Sequence, residues 1–121
     1  MIRHTESSEQ IALFEWAGFL ENQIPELALL YHIPNGGHRA KTTAKRLKAE
    51  GVKAGVPDIC LPVPRGKYHG LYIEMKADKN KPTDNQIKWL SELSQQGYFA
   101  AVCHGWQAAS VTILKYLKGA V

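Results

Sequence analysis

The stretch GVPDICLPVPRGKYHGLYIEMK, residues 55–76, decides the fold because it holds two apolar segments joined by a short basic turn. Residues 59–63 are apolar and interrupted by proline, while residues 70–76 alternate between apolar and other residue types. Such a pair of runs around a glycine-containing turn predicts a β-hairpin. The hairpin also carries acidic residues, Asp58 and Glu74, where a buried strand is normally apolar.

Strand periodicity predicts which side chains of the hairpin meet. Side chains on a strand point alternately to opposite faces, so Glu74 and Lys76 share the face opposite the apolar set. If the hairpin is symmetric about Gly66, Asp58 lies directly opposite Glu74, and opposed Cβ atoms in an antiparallel pair are about 5 Å apart. The apolar set, which can enter the core, is Leu71, Ile73 and Met75.

Two carboxylates at that separation repel each other unless one is protonated or a cation binds between them. Mg²⁺ and similar hard ions prefer carboxylate and carbonyl oxygens and keep several waters. A lysine beside such an ion, here Lys76, can orient a water or stabilise charge that develops on a phosphate. The set therefore suits phosphodiester hydrolysis. The alternative is a solvated strand face with ordinary ion pairs, preceded by a Pro-Asp turn.

The rest of the 121-residue chain predicts one mixed α/β domain, residues 1–121, with a single central sheet. A capping box of Ser7 and Gln10 predicts a first helix, and a second box of Thr83 and Gln86 opens a later helix that ends at Gly97. The other predicted elements are a strand at 27–33, a helix at 42–50, a strand at 98–103 and a helix at 106–117.

The chain carries a net charge of +4, which favours an anionic partner such as nucleic acid. Lys41, Lys45 and Lys48 lie at i, i+4 and i+7, on one face of the predicted helix, where they can follow a phosphate backbone. A solvated helix face is the alternative. The full set of candidate DNA-binding residues is Arg39, Lys41, Lys45, Arg46, Lys48 and Lys53.

Two cysteines, Cys60 and Cys103, are expected to be reduced core thiols of a cytoplasmic protein, since neither belongs to a CxxC motif. The first ten residues contain no apolar signal-peptide core, and no membrane span is expected. The three tryptophans, Trp16, Trp89 and Trp106, each lie in a predicted helix and are expected in the core or an interface rather than stacked on bases.

The chain resembles the PD-(D/E)xK nucleases and, more narrowly, the small stand-alone VRR-NUC proteins of phages and bacteria. GVPDICL followed by GLYIEMK carries the core pattern. The supporting segments occur in the same order as in that family: SSEQIALFEWA, HIPNGGHRA, RLKAEGVKAGVPD, YIEMKADKNKPTDNQIKWL and GYFAAVCHG. The resemblance implies a restriction-endonuclease-like core, in which helices flank a central mixed sheet.

The resemblance also implies roles for individual residues. Asp58 and Glu74 match the metal ligands, Lys76 matches the catalytic lysine, and the main-chain carbonyl of Met75 often completes such sites. Gln86 matches a glutamine placed near the site, although it also completes the capping box. An acid on the first helix usually joins the metal shell, and the expected residue is Glu9, with Glu6 and Glu15 as rivals.

By this resemblance, the expected activity is Mg²⁺- or Mn²⁺-dependent cleavage of branched DNA, such as a four-way junction, by a homodimer. A phage-encoded protein would act in the cytoplasm of its bacterial host. Three alternatives stay open: a restriction-like or repair nuclease on duplex, flap or single-stranded DNA, a DNA-binding module without activity, and a structural domain with surface ion pairs.

Overall fold

Four strands form one mixed sheet, in the order β1-β2-β3-β4, within the residues 5–34 and 41–121 that the computed structural model describes. The strands are β1 Tyr31–His32, β2 Ile59–Leu61, β3 Leu71–Lys76 and β4 Phe99–His104. β2 runs antiparallel to both β1 and β3, whereas β3 and β4 are parallel. The ends of β1, β3 and β4 and the start of β2 therefore meet at one side of the sheet, called here the carboxyl edge.

The helices are α1 Glu6–Leu20, α2 Lys41–Ala49, α3 Asp84–Gln95 and α4 Trp106–Leu117. α1 and α4 both pack against β3, and their buried residues join the apolar face of the hairpin in one core. Tyr116 of α4 is fully buried in this core, where its hydroxyl donates to the carbonyl of Val63 at 2.6 Å. A mixed sheet flanked by helices confirms the predicted fold class.

The β2–β3 hairpin has the predicted register. Ile59 pairs with Ile73, and Leu61 pairs with Leu71. One step beyond β2, this register sets Asp58 opposite Glu74, as symmetry about Gly66 requires. Gly66 itself adopts a positive φ of 54°, a conformation that glycine reaches without steric cost.

The first helix is capped differently from the prediction. The predicted first helix is present as α1, but its predicted N-cap, Ser7, was wrong, because Thr5 is the N-cap and forms a capping box with Ser8. Both residue pairs have the i, i+3 spacing that a capping box needs. Starting at Glu6 instead of two residues later keeps Thr5 and Ser8 reciprocally bonded at 2.9 and 3.0 Å.

The strand predicted at 27–33 is much shorter in the structure. Pro25–Leu29 forms a 3₁₀ helix, and only Tyr31–His32 pairs with β2. Pro25 occupies the first turn, where its fixed φ suits a helix and its missing N–H costs no hydrogen bond. The turn then buries Leu27 in the core, and Leu30 follows it there.

α3 begins as predicted, with a Thr83–Gln86 capping box. Helical spacing predicts a buried stripe of Ile87, Leu90 and Leu93 on this helix. That prediction was partly wrong, because Ile87 is 51% exposed while Leu90 and Leu93 are half-buried. α2 lies within one residue of the predicted 42–50 at each end, and α4 matches 106–117. Apolar periodicity locates these helices, but it does not reveal how much of each face another element covers.

Cys60 and Cys103 are both buried and unpaired, as expected of core thiols. Among the helices of the described residues, none has the length and apolar character that a bilayer crossing needs.

Candidate active site

The carboxyl edge brings together the residues that the hairpin pattern singled out. Asp58 stands just before β2, and Glu74 and Lys76 lie in the last half of β3. His104, the last residue of β4, pairs directly with Lys76 across the parallel ladder. One edge of the sheet therefore carries two carboxylates, an ammonium group and an imidazole from three successive strands.

Hydrogen bonds fix Asp58 at both its backbone and its side chain. Its carbonyl oxygen accepts from Ile33 N at 2.6 Å and lies 2.9 Å from His32 Nδ1. Its Oδ2 accepts from the backbone N–H of Met75 at 2.8 Å. A carboxylate held by a neighbouring strand has little freedom to turn away, so Asp58 stays directed toward the end of β3.

Glu74 and Lys76 are buried rather than solvated. Glu74 is 1% exposed and Lys76 is 7% exposed. The Lys76 ammonium Nζ lies 3.5 Å from Glu74 Oε2 and 3.3 Å from Glu6 Oε1 of α1. Charged side chains are almost never fully buried unless they are paired. The solvated-face alternative for this Glu-x-Lys segment is therefore wrong.

The burial of Glu74 leaves its charge incompletely compensated. Its Oε1 is buried and has no hydrogen-bond partner within residues 5–34 and 41–121. Burial, and after it the neighbouring Asp58 carboxyl group, raise the pKa of Glu74 from 4.5 to about 8, against the opposing effect of Lys76. Perturbed carboxyl pKa values of this kind are typical of functional sites.

The raised pKa of Glu74 predicts how stability depends on pH in the absence of metal. Between about pH 4.5 and pH 8 the folded protein holds a proton on Glu74 that the unfolded chain has released. Stability should therefore fall as the pH rises through that window. Denaturant unfolding in EDTA at pH 5 and pH 8 measures this loss, which Glu74→Gln should remove. Identical pH dependence in the two proteins would contradict the assignment.

The candidate acids on α1 have separate surroundings. Glu6 reaches Lys76, whereas Glu9 Oε1 accepts from the backbone N–H of Trp106 at 3.2 Å, at the start of α4. A carboxylate at that position stabilises the positive end of the α4 dipole. Glu15 lies further along α1 with its side chain exposed. The sequence singled out Glu9, while the structure brings Glu6 to the lysine.

Gln86 is engaged in the capping box of α3. The side-chain Oε1 of Gln86 accepts from Thr83 N at 2.9 Å, and the backbone N–H of Gln86 donates to the Thr83 hydroxyl at 3.2 Å. The capping role is therefore the one that the hydrogen bonds show. A role of Gln86 in the reaction stays a prediction.

The donor set fits a hard divalent cation. Asp58 and Glu74 supply two facing carboxyl groups, one of them with a buried oxygen that lacks a donor. Across the part of the chain described, no three His, Cys, Asp or Glu side chains cluster as a complete metal cage. Mg²⁺ is suited to such a site, because it is usually held by one or two carboxylates and retains several waters.

The candidate DNA-binding side chains are exposed. α2 has no buried residue, and Lys41, Lys45 and Lys48 all face solvent. Arg46 is exposed too, with its Nε 3.8 Å from Glu50 Oε1, and Lys53 follows in the loop that leads to Asp58. Arg39 lies outside the described residues.

The VRR-NUC domain model matches residues 4–107 of this chain. The chain belongs to the VRR-NUC family. A solved structure named "VRR_NUC domain protein" is 32% identical and superposes with a TM-score of 0.80, covering 95% of this chain and 89% of that one. A comparison with curated proteins gave no match. Membership makes this VRR-NUC domain a nuclease, which implies DNA as its substrate.

Proposed function

We propose that this VRR-NUC domain is a Mg²⁺- or Mn²⁺-dependent endodeoxyribonuclease that acts on branched DNA such as four-way junctions. The observation that carries the proposal is the burial of Glu74 opposite Asp58, with the Lys76 ammonium 3.5 Å from the Glu74 carboxylate. A fold gains nothing in stability from an under-compensated buried carboxyl group. A cation site explains why the sheet carries one.

In this proposal the carboxylates of Asp58 and Glu74 and the main-chain carbonyl of Met75 hold the ion. When bound, a divalent ion neutralises phosphate charge and lowers the pKa of a coordinated water. Lys76, already fixed between two carboxylates, donates to the phosphate oxygen on which negative charge grows. Glu9 was the expected α1 ligand, but the contact between Glu6 and Lys76 favours Glu6 as the acid nearest the reacting phosphate.

In this proposal α2 provides the basic surface that contacts the DNA backbone. Its exposed lysines form a row, and its C-terminal end leads through Lys53 toward Asp58. A helix with no buried residue gains little from packing, so its basic face is available to phosphates. Arg46 and Arg39 extend the proposed set.

Lys45→Ala should weaken DNA binding without altering the metal site. The slope of log K against log salt is negative, and each lost phosphate contact reduces its magnitude by about 0.9. Binding titrations of the variant and the wild type across a salt series measure this change. Lys118→Ala, at the C-terminal cap of α4 and also exposed, is the matched control. An unchanged slope for Lys45→Ala would contradict the proposal that α2 binds DNA.

We further propose that the protein acts as a homodimer in the cytoplasm. α1 exposes Phe19 and Ile11, at 83% and 57%, and α4, which packs against α1, exposes Val111 at 51%. Exposed apolar residues on packed neighbouring helices favour association. Two-fold symmetry would place two sites on one junction. Sedimentation of the purified protein measures the oligomeric state directly.

Cleavage of a labelled four-way junction against matched duplex, with Mn²⁺ and with EDTA, tests the function. Mn²⁺-dependent cutting of the junction alone supports the proposal. Equal cutting of duplex, flap or single-stranded DNA would indicate a restriction-like or repair nuclease. Binding without cleavage under any metal would identify a module with no activity.

A further inference from the structure

A shallow cavity of about 370 Å³, broadly open to solvent, lies beside the carboxyl edge, between the end of α2 and the middle of α3. This volume is at the lower end of the range of small-molecule sites, roughly 300–1,000 Å³. The residues that matter for its chemistry are Ile33, Glu50, Val52, Lys53, Val56 and Trp89. None of them is a proposed metal ligand, and only Lys53 belongs to the proposed DNA-binding set.

The cavity has apolar walls and a charged rim. Ile33, Val52 and Val56 are half-buried aliphatic residues, and Trp89 presents a half-buried indole. Lys53 is exposed at the opening. The carboxylate of Glu50 is also at the rim, where the guanidinium of Arg46 at 3.8 Å partly offsets its charge.

The loop that forms one wall is fastened to α3. Asn85 Nδ2, one turn before Trp89, donates to the carbonyl of Ala54 at 2.8 Å. Gly55 has a φ of +90°, and a Cβ there would come within 2.9 Å of Asn85 Nδ2. The close packing holds the aliphatic wall and the indole in a fixed relation, so the cavity is a formed feature.

The cavity adjoins the proposed metal site through the backbone. Ile33 N donates directly to the carbonyl of Asp58 at 2.6 Å. Val56 precedes Asp58 by two residues, a separation that spans at most about 7 Å. The wall of the cavity therefore lies within about one nucleotide's length of the Asp58 backbone.

We propose that the cavity accepts an unpaired nucleobase of the DNA substrate, stacked against Trp89, with Lys53 bonded to the adjacent phosphate. The inference rests on the proposed nuclease function. Aromatic side chains stack on every base, whatever its sequence. A base in an intact duplex must first leave its stack, at a cost of a few kcal/mol. The cavity therefore favours DNA whose bases are unpaired at a branch.

The test uses DNA with a single unpaired 2-aminopurine at the branch, and the same sequence fully paired, titrated in EDTA so that no cleavage occurs. The wild type should quench the unpaired fluorophore. Trp89→Leu should abolish the quenching and weaken binding of the unpaired DNA about ten-fold, but change binding of the paired DNA less than two-fold. Trp89→Phe should keep most of both effects, and Trp16→Phe on α1 is the matched control.

Val52→Phe fills the cavity and leaves Trp89 in place, so it decides the matter if Trp89→Leu does not fold. It too should abolish quenching. Quenching that survives both changes, or an equal loss of affinity for paired and unpaired DNA, would overturn the inference. Wild-type protein that quenches but cuts no DNA with Mn²⁺ would overturn the nuclease proposal alone. Normal cutting together with unchanged binding by both variants would overturn the base site alone.

Discussion

Lys76→Met should lower the cleavage rate by roughly 100- to 1,000-fold, the usual effect of removing one donor that stabilises charge in the transition state. Methionine keeps most of the length of the side chain but has no ammonium group. In the structure Nζ lies between Glu74 Oε2 and Glu6 Oε1, at 3.5 and 3.3 Å. No other described lysine contacts Glu74, so none stands ready to replace it.

Single-turnover cleavage in Mn²⁺ is the measurement for Lys76→Met, with DNA binding in EDTA followed in parallel. Binding should change much less than the rate, because one phosphate contact among several is lost. Lys79→Met, an exposed lysine in the turn after β3, is the control. A rate within ten-fold of the wild type would exclude Lys76 as the charge-stabilising group.

The second large effect is expected from Asp58, where two variants separate charge from structure. Asp58→Asn retains an oxygen that can accept from Met75 N, whereas Asp58→Ala removes that acceptor as well. Both should reduce cleavage by at least about 100-fold, since an ion that supplies several kcal/mol of transition-state stabilisation is bound poorly or misplaced. Only the alanine variant should also lose about 1–3 kcal/mol of unfolding free energy, because it leaves the Met75 N–H buried without its partner.

Calorimetric titration with Mn²⁺ and denaturant unfolding distinguish these outcomes for Asp58. Weak Mn²⁺ binding by both variants, with near-normal stability in Asp58→Asn, supports a ligand role. Asp58→Asn that binds Mn²⁺ and cuts like the wild type would assign Asp58 a purely structural role. That result would also contradict the proposal that Glu74 and Asp58 hold one metal ion between them.

The hairpin could be predicted because its determinants are local. Alternation fixes the face of each side chain, and symmetry about Gly66 sets Asp58 opposite Glu74. The Thr83–Gln86 box was equally predictable, since both partners lie within one turn. The α1 cap was not, because Thr5–Ser8 and Ser7–Gln10 both have the spacing of a box and only the folded helix distinguishes them.

The burial and the long-range contacts of the site residues could not be predicted from the sequence. The Glu-x-Lys pattern is the same on a strand face that solvent reaches and on one that other elements bury. Its burial follows from the sheet and from α1, whose Glu6 lies 70 residues away from Lys76 in the chain. A still larger separation, 97 residues, hid the contact of Glu9 with Trp106 of α4. Ile87 gives the converse case, an apolar position that no described element fully covers.

The sequence by itself determined the hairpin, its register and the chemical types that meet across it, because strand periodicity and turn residues act over short stretches of chain. Only the tertiary structure decided that Glu74 is enclosed with a raised pKa, which α1 acid meets Lys76, and that Trp89 lines a cavity beside Asp58. Those properties depend on which distant segments exclude water from a group. Solvent exclusion is set by packing in three dimensions, which local pattern does not encode.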